Sequence, residues 1–157
     1  MFVKDVMSTD IVTINPESTL IELLEKYEQF RHHTLPVINR AGDLVGLVDL
    51  TDIMKYFMPH NPSLSRLLKG AHFYHGHEAD ILETEVTEEL ISELRVEDIM
   101  TNNIIPIEPH ETVSKARSVM ISHDINYMPV VDESRLVGVI TLCDIIMGLF
   151  KNREILK

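Results

Sequence analysis

The stretch that decides the fold is GVITLCDI, Gly138 to Ile145, because it has a near copy in GLVDLTDI, Gly46 to Ile53. In each, a glycine and a few apolar residues lead to an aspartate, Asp144 or Asp52. The position three residues earlier is Thr141 in one copy and Asp49 in the other. This pattern describes a strand running straight into a helix. The N–H groups of the helix's first turn are unpaired there and its dipole is positive, so an anion or a hydroxyl-rich ligand can be held. Gly46 and Gly138 have no Cβ, which permits close approach by a ligand or by a neighbouring backbone. An aspartate in such a turn can accept both hydroxyl protons of a vicinal diol. It can equally serve as a cap for the helix start.

Working outward, the duplication extends along the chain. VKDVM at Val3 to Met7 matches VEDIM at Val96 to Met100, and LPVIN from Leu35 matches MPVVD from Met128, both at an offset of 93. After a one-residue contraction, Leu44, Val45, Gly46, Asp52 and Ile53 align with Leu136, Val137, Gly138, Asp144 and Ile145. A repeat of this kind has to be found before any element is assigned, since overlooking it misreads the fold. Each copy opens with a short apolar strand before a proline, Ile11 to Ile14 or Ile104 to Ile107. Pro106 places the second of these at a sheet edge, where a missing N–H costs little. A helix follows in the first copy, with Leu20, Leu23, Leu24 and Tyr27 at helical spacing and Thr19 with Glu22 as a capping box. Leu35 to Ile38 and Leu44 to Val48 read as a hairpin across Asn-Arg-Ala-Gly-Asp, and a last helix begins near Leu50 or Leu142. The unit is β-α-β-β-α, with a sheet too small to bury both faces alone. The fold class is therefore α+β: a pseudo-two-fold pair over residues 1–57 and 96–157, with clefts between the copies. Residues 58–95 have no counterpart and read as a helical insertion, with an amphipathic pattern through Leu82, Val86 and Leu90.

The chain's 157 residues, 45% of them hydrophobic, suffice for one packed domain or two small ones sharing a core. No apolar run approaches the ~20 residues of a membrane span, and the Met-Phe-Val-Lys-Asp start lacks the character of a secretory signal. A cytoplasmic location is expected. The net charge is −11, and nine acids between Glu78 and Asp98 face only Arg95. Nucleic acid is an unsuitable partner, because duplex affinity rests on clustered Lys and Arg. Cys143 is the only cysteine, which excludes an intramolecular disulfide; its place between an apolar strand and Asp144 reads as a buried, inert thiol.

Together, V-x-D-(V/I)-M, the strand before proline, (L/M)-P-V-(I/V)-(N/D) and the L-V-G run ending in aspartate resemble the CBS domain, and the pair resembles a CBS pair, or Bateman module. The resemblance covers nearly everything outside residues 58–95. It implies a non-catalytic regulatory module that binds AMP, ADP, ATP or S-adenosylmethionine in two clefts and acts on an unidentified partner protein. Carried onto this chain, it places Asn15, His32, His33 and Thr34 with Thr141 and Asp144 in one cleft. Glu108, Ile125, Asn126 and Tyr127 fall with Asp49 and Asp52 in the other. The shared aspartate would accept ribose hydroxyls, whereas the position three residues earlier would face phosphate. A threonine can donate there; an aspartate repels. Two unit charges ~4 Å apart at an effective dielectric of ~20 repel by about 4 kcal/mol, so the Asp49 cleft is expected to be empty, or to prefer adenosine or a cationic adenosyl compound.

Other candidates stay open at this level. His32 and His33, beside Arg31, are either one packed and one solvated histidine or phosphate contacts. His72, His75 and His77 form a compact cluster that is either a solvated loop or a site for zinc, nickel or copper, and no metal is assigned. No catalytic set stands out. The alternative to ligand sensing is a structural or docking module. Apolar helix faces left uncovered by such small units imply a homodimer.

Overall fold

The computed structural model describes residues 1–30, 33–57 and 92–152. Local chemistry sets each element. Thr19 and Glu22 exchange backbone and side-chain hydrogen bonds of 2.8 and 3.2 Å, and this box starts α1, Leu20–Phe30. Leu20, Leu23 and Tyr27 turn inward, whereas Leu24 is exposed. Strands β1, Thr34–Ile38, and β2, Leu44–Asp49, form an antiparallel hairpin. Its turn is closed by the Asn39 side-chain oxygen, which accepts from the backbone of Ala41 and Asp43, with Gly42 at φ +90°, a conformation glycine adopts without steric cost. Helix α2, Leu50–Phe57, follows with no intervening loop.

The second half repeats the plan. After the short α3, Val96–Ile99, come α4, Val113–His123, the hairpin of β3, Tyr127–Asp132, and β4, Arg135–Thr141, and then α5, Leu142–Asn152. Equivalent positions face each other across the two hairpins: Thr34 opposes Asp49, and Tyr127 opposes Thr141.

The first strand of each unit is shorter than the pattern suggests. Ile14 and Ile107 each form a single parallel bridge, to Val37 and Val130. Ile14 donates to the carbonyl of Pro36 and accepts from Ile38, but the chain turns at once, with Ser18 donating to Asn15. In the second unit Pro106 and Pro109 flank the bridge and have no N–H to extend it.

Each lead-in packs on the opposite unit. Ser8 exchanges two 2.9 Å backbone hydrogen bonds with Val139 of β4, and Thr101 pairs with Leu47 of β2 at 2.8 and 3.0 Å. Each sheet thus gains an edge residue from the other half. The cores follow the same exchange: Leu94, Val96 and Ile99 are buried with Leu23, Leu35 and Val48, while Val3 is buried with Met120, Met128 and Ile140. At about 1.5–3 kcal/mol for each fully buried aliphatic side chain, these lead-ins are a main source of cohesion between the units. Gly46 and Gly138 make the exchange possible. A Cβ on Gly46 would lie 2.6 Å from Met100 Sδ and 3.1 Å from the Thr101 carbonyl oxygen; on Gly138 it would lie 2.7 Å from Met7 Sδ and 3.0 Å from that of Ser8. What comes close to these glycines is neighbouring protein.

Tyr27 occupies a position that periodicity reads as merely apolar, yet its buried hydroxyl donates to the Val48 carbonyl at 3.0 Å. Burial, with Asp49 and Asp52 nearby, raises this phenol well above its usual range. Tyr27→Phe is expected to cost about 1–3 kcal/mol, because the Val48 oxygen would lose its side-chain donor in a buried setting; urea denaturation measures it, and an unchanged midpoint would contradict this role.

Helices α2 and α5 leave apolar residues uncovered. Leu50, Met54, Leu142, Ile146, Leu149 and Phe150 are all exposed, and only Ile53 and Ile145 enter the cores from these two helices among the residues whose burial is described. Cys143 corrects an expectation: it is exposed. In the first turn of α5 the inward direction belongs to Ile145, and Cys143 lies off that face. Among the described residues no helix is long and apolar enough to cross a membrane.

Candidate functional site

The strand–helix junctions show why one acid is kept and the other exchanged. In the second unit the Thr141 hydroxyl accepts from the Asp144 backbone at 3.2 Å, and Asp144 Oδ2 accepts from both the backbone and the hydroxyl of Thr141 at 2.7 Å. In the first unit Asp49 takes the threonine's place. Its Oδ1 accepts from Thr51 N at 2.8 Å, while Asp52 Oδ2 accepts from Asp49 N at 2.9 Å. Threonine and aspartate are both good N-caps, and the aspartate three residues on completes the reciprocal box. Leu50 and Leu142 anchor the helix starts further by donating to the carbonyls of His33 and Asn126 at 3.0 Å.

A cleft of about 560 Å³ lies between the units. The first unit contributes Thr34, Leu47, Asp49, Thr51 and Asp52. The second contributes Ile125, Asn126 and Tyr127, with Met120, Ile121 and Asp124 from the end of α4, Leu142 from α5, and Thr101 from the exchanged lead-in. Thr34 donates its hydroxyl proton to Asp49 Oδ2 at 2.5 Å, a contact set by their opposition in the hairpin. Burial by itself raises the Asp49 carboxyl, but the hydrogen bonds from Thr34 and Thr51, together with His33 nearby, bring it below its usual value, so it is ionised at neutral pH. Burial raises the Tyr127 phenol far above its usual range, so it is neutral.

Of the residues picked out from the sequence, this cleft gathers Asp49, Asp52, Asn126 and Tyr127, and also Thr34. Thr34 therefore stands beside Asp49, across the hairpin from it. Asn15 lines a separate crevice at the sheet edge with Thr13, Ser18 and Lys26. His33 is exposed, as is Glu108, which does not line the cleft. Thr141 and Asp144 hold the mirrored junction in the second unit and are half-buried. Arg31, His32 and the loop of His72, His75 and His77 lie outside the described residues, as does nearly all of the 58–95 segment. Pattern reading missed Thr101 and Asp124. Thr101 reaches the cleft through the exchanged lead-in, which no local spacing reveals. Asp124 ends α4 in a left-handed conformation at φ 52°, a role open to Asp or Asn at a helix C-terminus.

The CBS domain family matches the chain twice, over residues 3–59 and 96–151. The chain belongs to this family, and its two units are CBS repeats. It is 30% identical over 161 residues to "Uncharacterized protein MJ1426" of Methanocaldococcus jannaschii, covering 95% of this chain and 91% of that one. A CBS domain-containing protein of Dictyostelium discoideum is 28% identical over 155 residues, with 98% and 94% covered. Among solved structures, CBSX2 in complex with AMP superposes with a TM-score of 0.70 at 19% identity, covering 97% of this chain and 98% of that one. The CBS domain pair of protein MJ0100, in complex with 5′-methylthioadenosine and S-adenosyl-L-methionine, superposes with a TM-score of 0.67 at 25% identity, with 98% of both chains covered.

Proposed function

We propose that this chain is a regulatory module that holds an adenosine-containing ligand, of the AMP, ADP, ATP or S-adenosylmethionine type, between its CBS repeats and signals occupancy to a partner protein. The observation that carries this reading is the composition of the cleft: both repeats and an exchanged lead-in supply its walls. A ligand seated there contacts both halves and favours one relative arrangement of them, a shift in population with no chemical step. The adenosyl compounds bound to MJ0100 and the AMP bound to CBSX2 support the ligand class. Tyr127, Leu47 and Leu142 offer an aromatic and aliphatic wall for a purine, and Asp52 offers a carboxylate for ribose hydroxyls. The module is non-catalytic and works in the cytoplasm. It assembles as a homodimer through the exposed apolar faces of α2 and α5.

Thermal unfolding in the presence of ligand tests the reading. A ligand at 100 times its dissociation constant adds about 2.7 kcal/mol of stability, so adenosine, AMP or S-adenosylmethionine is expected to raise the melting temperature in proportion to the logarithm of its concentration. A purely structural or docking module would melt at the same temperature with all three.

A further inference from the structure

The two strand–helix junctions differ in charge. At the second, the cap is the neutral Thr141, and the only acid in the box is Asp144. At the first, two carboxylates occupy the turn, Asp49 on the backbone of Thr51 and Asp52 on the backbone of Asp49. The helix's positive end, which would otherwise attract an anion, is therefore already offset by the protein's own charges. Thr34, the hydroxyl nearest to Asp49, gives its proton to that carboxylate, so its proton is not directed to a ligand oxygen. Across the cleft stand a third acid, Asp124, and the uncharged Asn126 and Tyr127; no Lys, Arg or His is among the described residues lining it, and the exposed His33 lies near Asp49 but outside the lining. The wall is otherwise aliphatic, with Leu47, Met120, Ile121 and Leu142.

Resting on the adenosyl reading above, we infer that the Asp49 cleft selects by charge: it takes an adenosyl compound that is neutral or cationic beyond the ribose, such as adenosine, 5′-methylthioadenosine or S-adenosylmethionine, and rejects 5′-phosphates. Asp49 is the residue that sets this preference. Its ionised state at neutral pH follows from its hydrogen bonds. The exchange of threonine for aspartate between the repeats is then what puts a second carboxylate into this turn, where the other junction carries Asp144 alone.

Calorimetry on the whole chain tests this with adenosine, S-adenosylmethionine and AMP, using wild type, Asp49→Thr and Asp49→Asn. Threonine already caps the equivalent turn of the second repeat, and asparagine is a good N-cap, so both variants retain a side-chain acceptor for the helix start. In wild type, adenosine is expected to fill one more site per chain than AMP does. In Asp49→Thr and Asp49→Asn, AMP is expected to gain that missing site, or to tighten there roughly tenfold or more, while S-adenosylmethionine weakens; screening of a half-exposed charge limits the size of the effect. If AMP fills as many sites as adenosine in wild type, or if neither variant changes the ratio of AMP to S-adenosylmethionine affinity, charge selection is overturned while the adenosyl reading stands. If no compound binds any of the three proteins, both are overturned.

Discussion

Gly46→Val and Gly138→Val are each expected to lower stability by about 1–3 kcal/mol, the usual cost of forcing extra carbon into a filled site. The cause is specific. Any Cβ at these positions meets a methionine sulfur, which can move, and the carbonyl oxygen of Thr101 or Ser8, which is fixed by a two-bond bridge to the adjacent strand. Relief therefore requires the lead-in to withdraw, and with it the buried Ile99 and Val96 or Val3. The nearest neighbours of the two glycines are different residues, so the effects should add. A double variant would lose about 2–6 kcal/mol, a large share of the ~5–15 kcal/mol that holds a small protein folded. Urea denaturation reads the loss as a lowered midpoint, with Ile121→Val, at an exposed position, as a control expected to stay within about 0.5 kcal/mol. Unchanged midpoints in both single variants would mean that the lead-ins are not held where the structure has them.

The second large effect concerns Asp144 and Asp52, which have two duties. Both close a capping box; the proposed function gives ribose hydroxyls to Asp52, and the mirrored position of Asp144 extends the same proposed duty to it. A carboxylate has about four acceptor positions, and Asp144 spends only Oδ2 on its box. Asp144→Ala removes both duties: stability is expected to fall by about 0.5–2 kcal/mol, and affinity for adenosine by about 10- to 100-fold, the worth of a hydrogen bond to a charged group. Asp144→Asn separates them. The amide oxygen can still cap, so stability should stay closer to wild type, while the lost charge and acceptor still weaken adenosine binding. Calorimetry and denaturation on the two variants decide the matter; a stability loss with unchanged affinity would leave Asp144 as a cap alone.

How far the sequence reaches is clear from these same residues. The duplication and the hairpins were legible because glycines, prolines and β-branched runs act locally, and so was the Thr19 box. The strand–helix junctions were legible as well, including the capping duty of the aspartate. The exchange of lead-ins was not. VKDVM and VEDIM look alike wherever they pack, and only a long-range bridge assigns each to the opposite sheet. For that reason Thr101 escaped notice as a wall of the cleft. The position of Thr34 beside Asp49 is a matter of cross-strand register, which hairpin chemistry suggests but does not fix to the residue. Cys143 was misjudged because its neighbours are apolar, although a helix buries a stripe and not a segment. The hydroxyl of Tyr27 was invisible to a pattern that records only apolar spacing.

The most direct test of ligand binding between the repeats is a crystal structure of the protein grown with saturating adenosine, a ligand that both junctions should tolerate. The purine is expected against Tyr127 and Leu142 and the ribose hydroxyls at Asp52, in the cleft that both repeats wall. Adenosine seated elsewhere on an intact fold, or a cleft that stays empty of it at saturation, would contradict that claim.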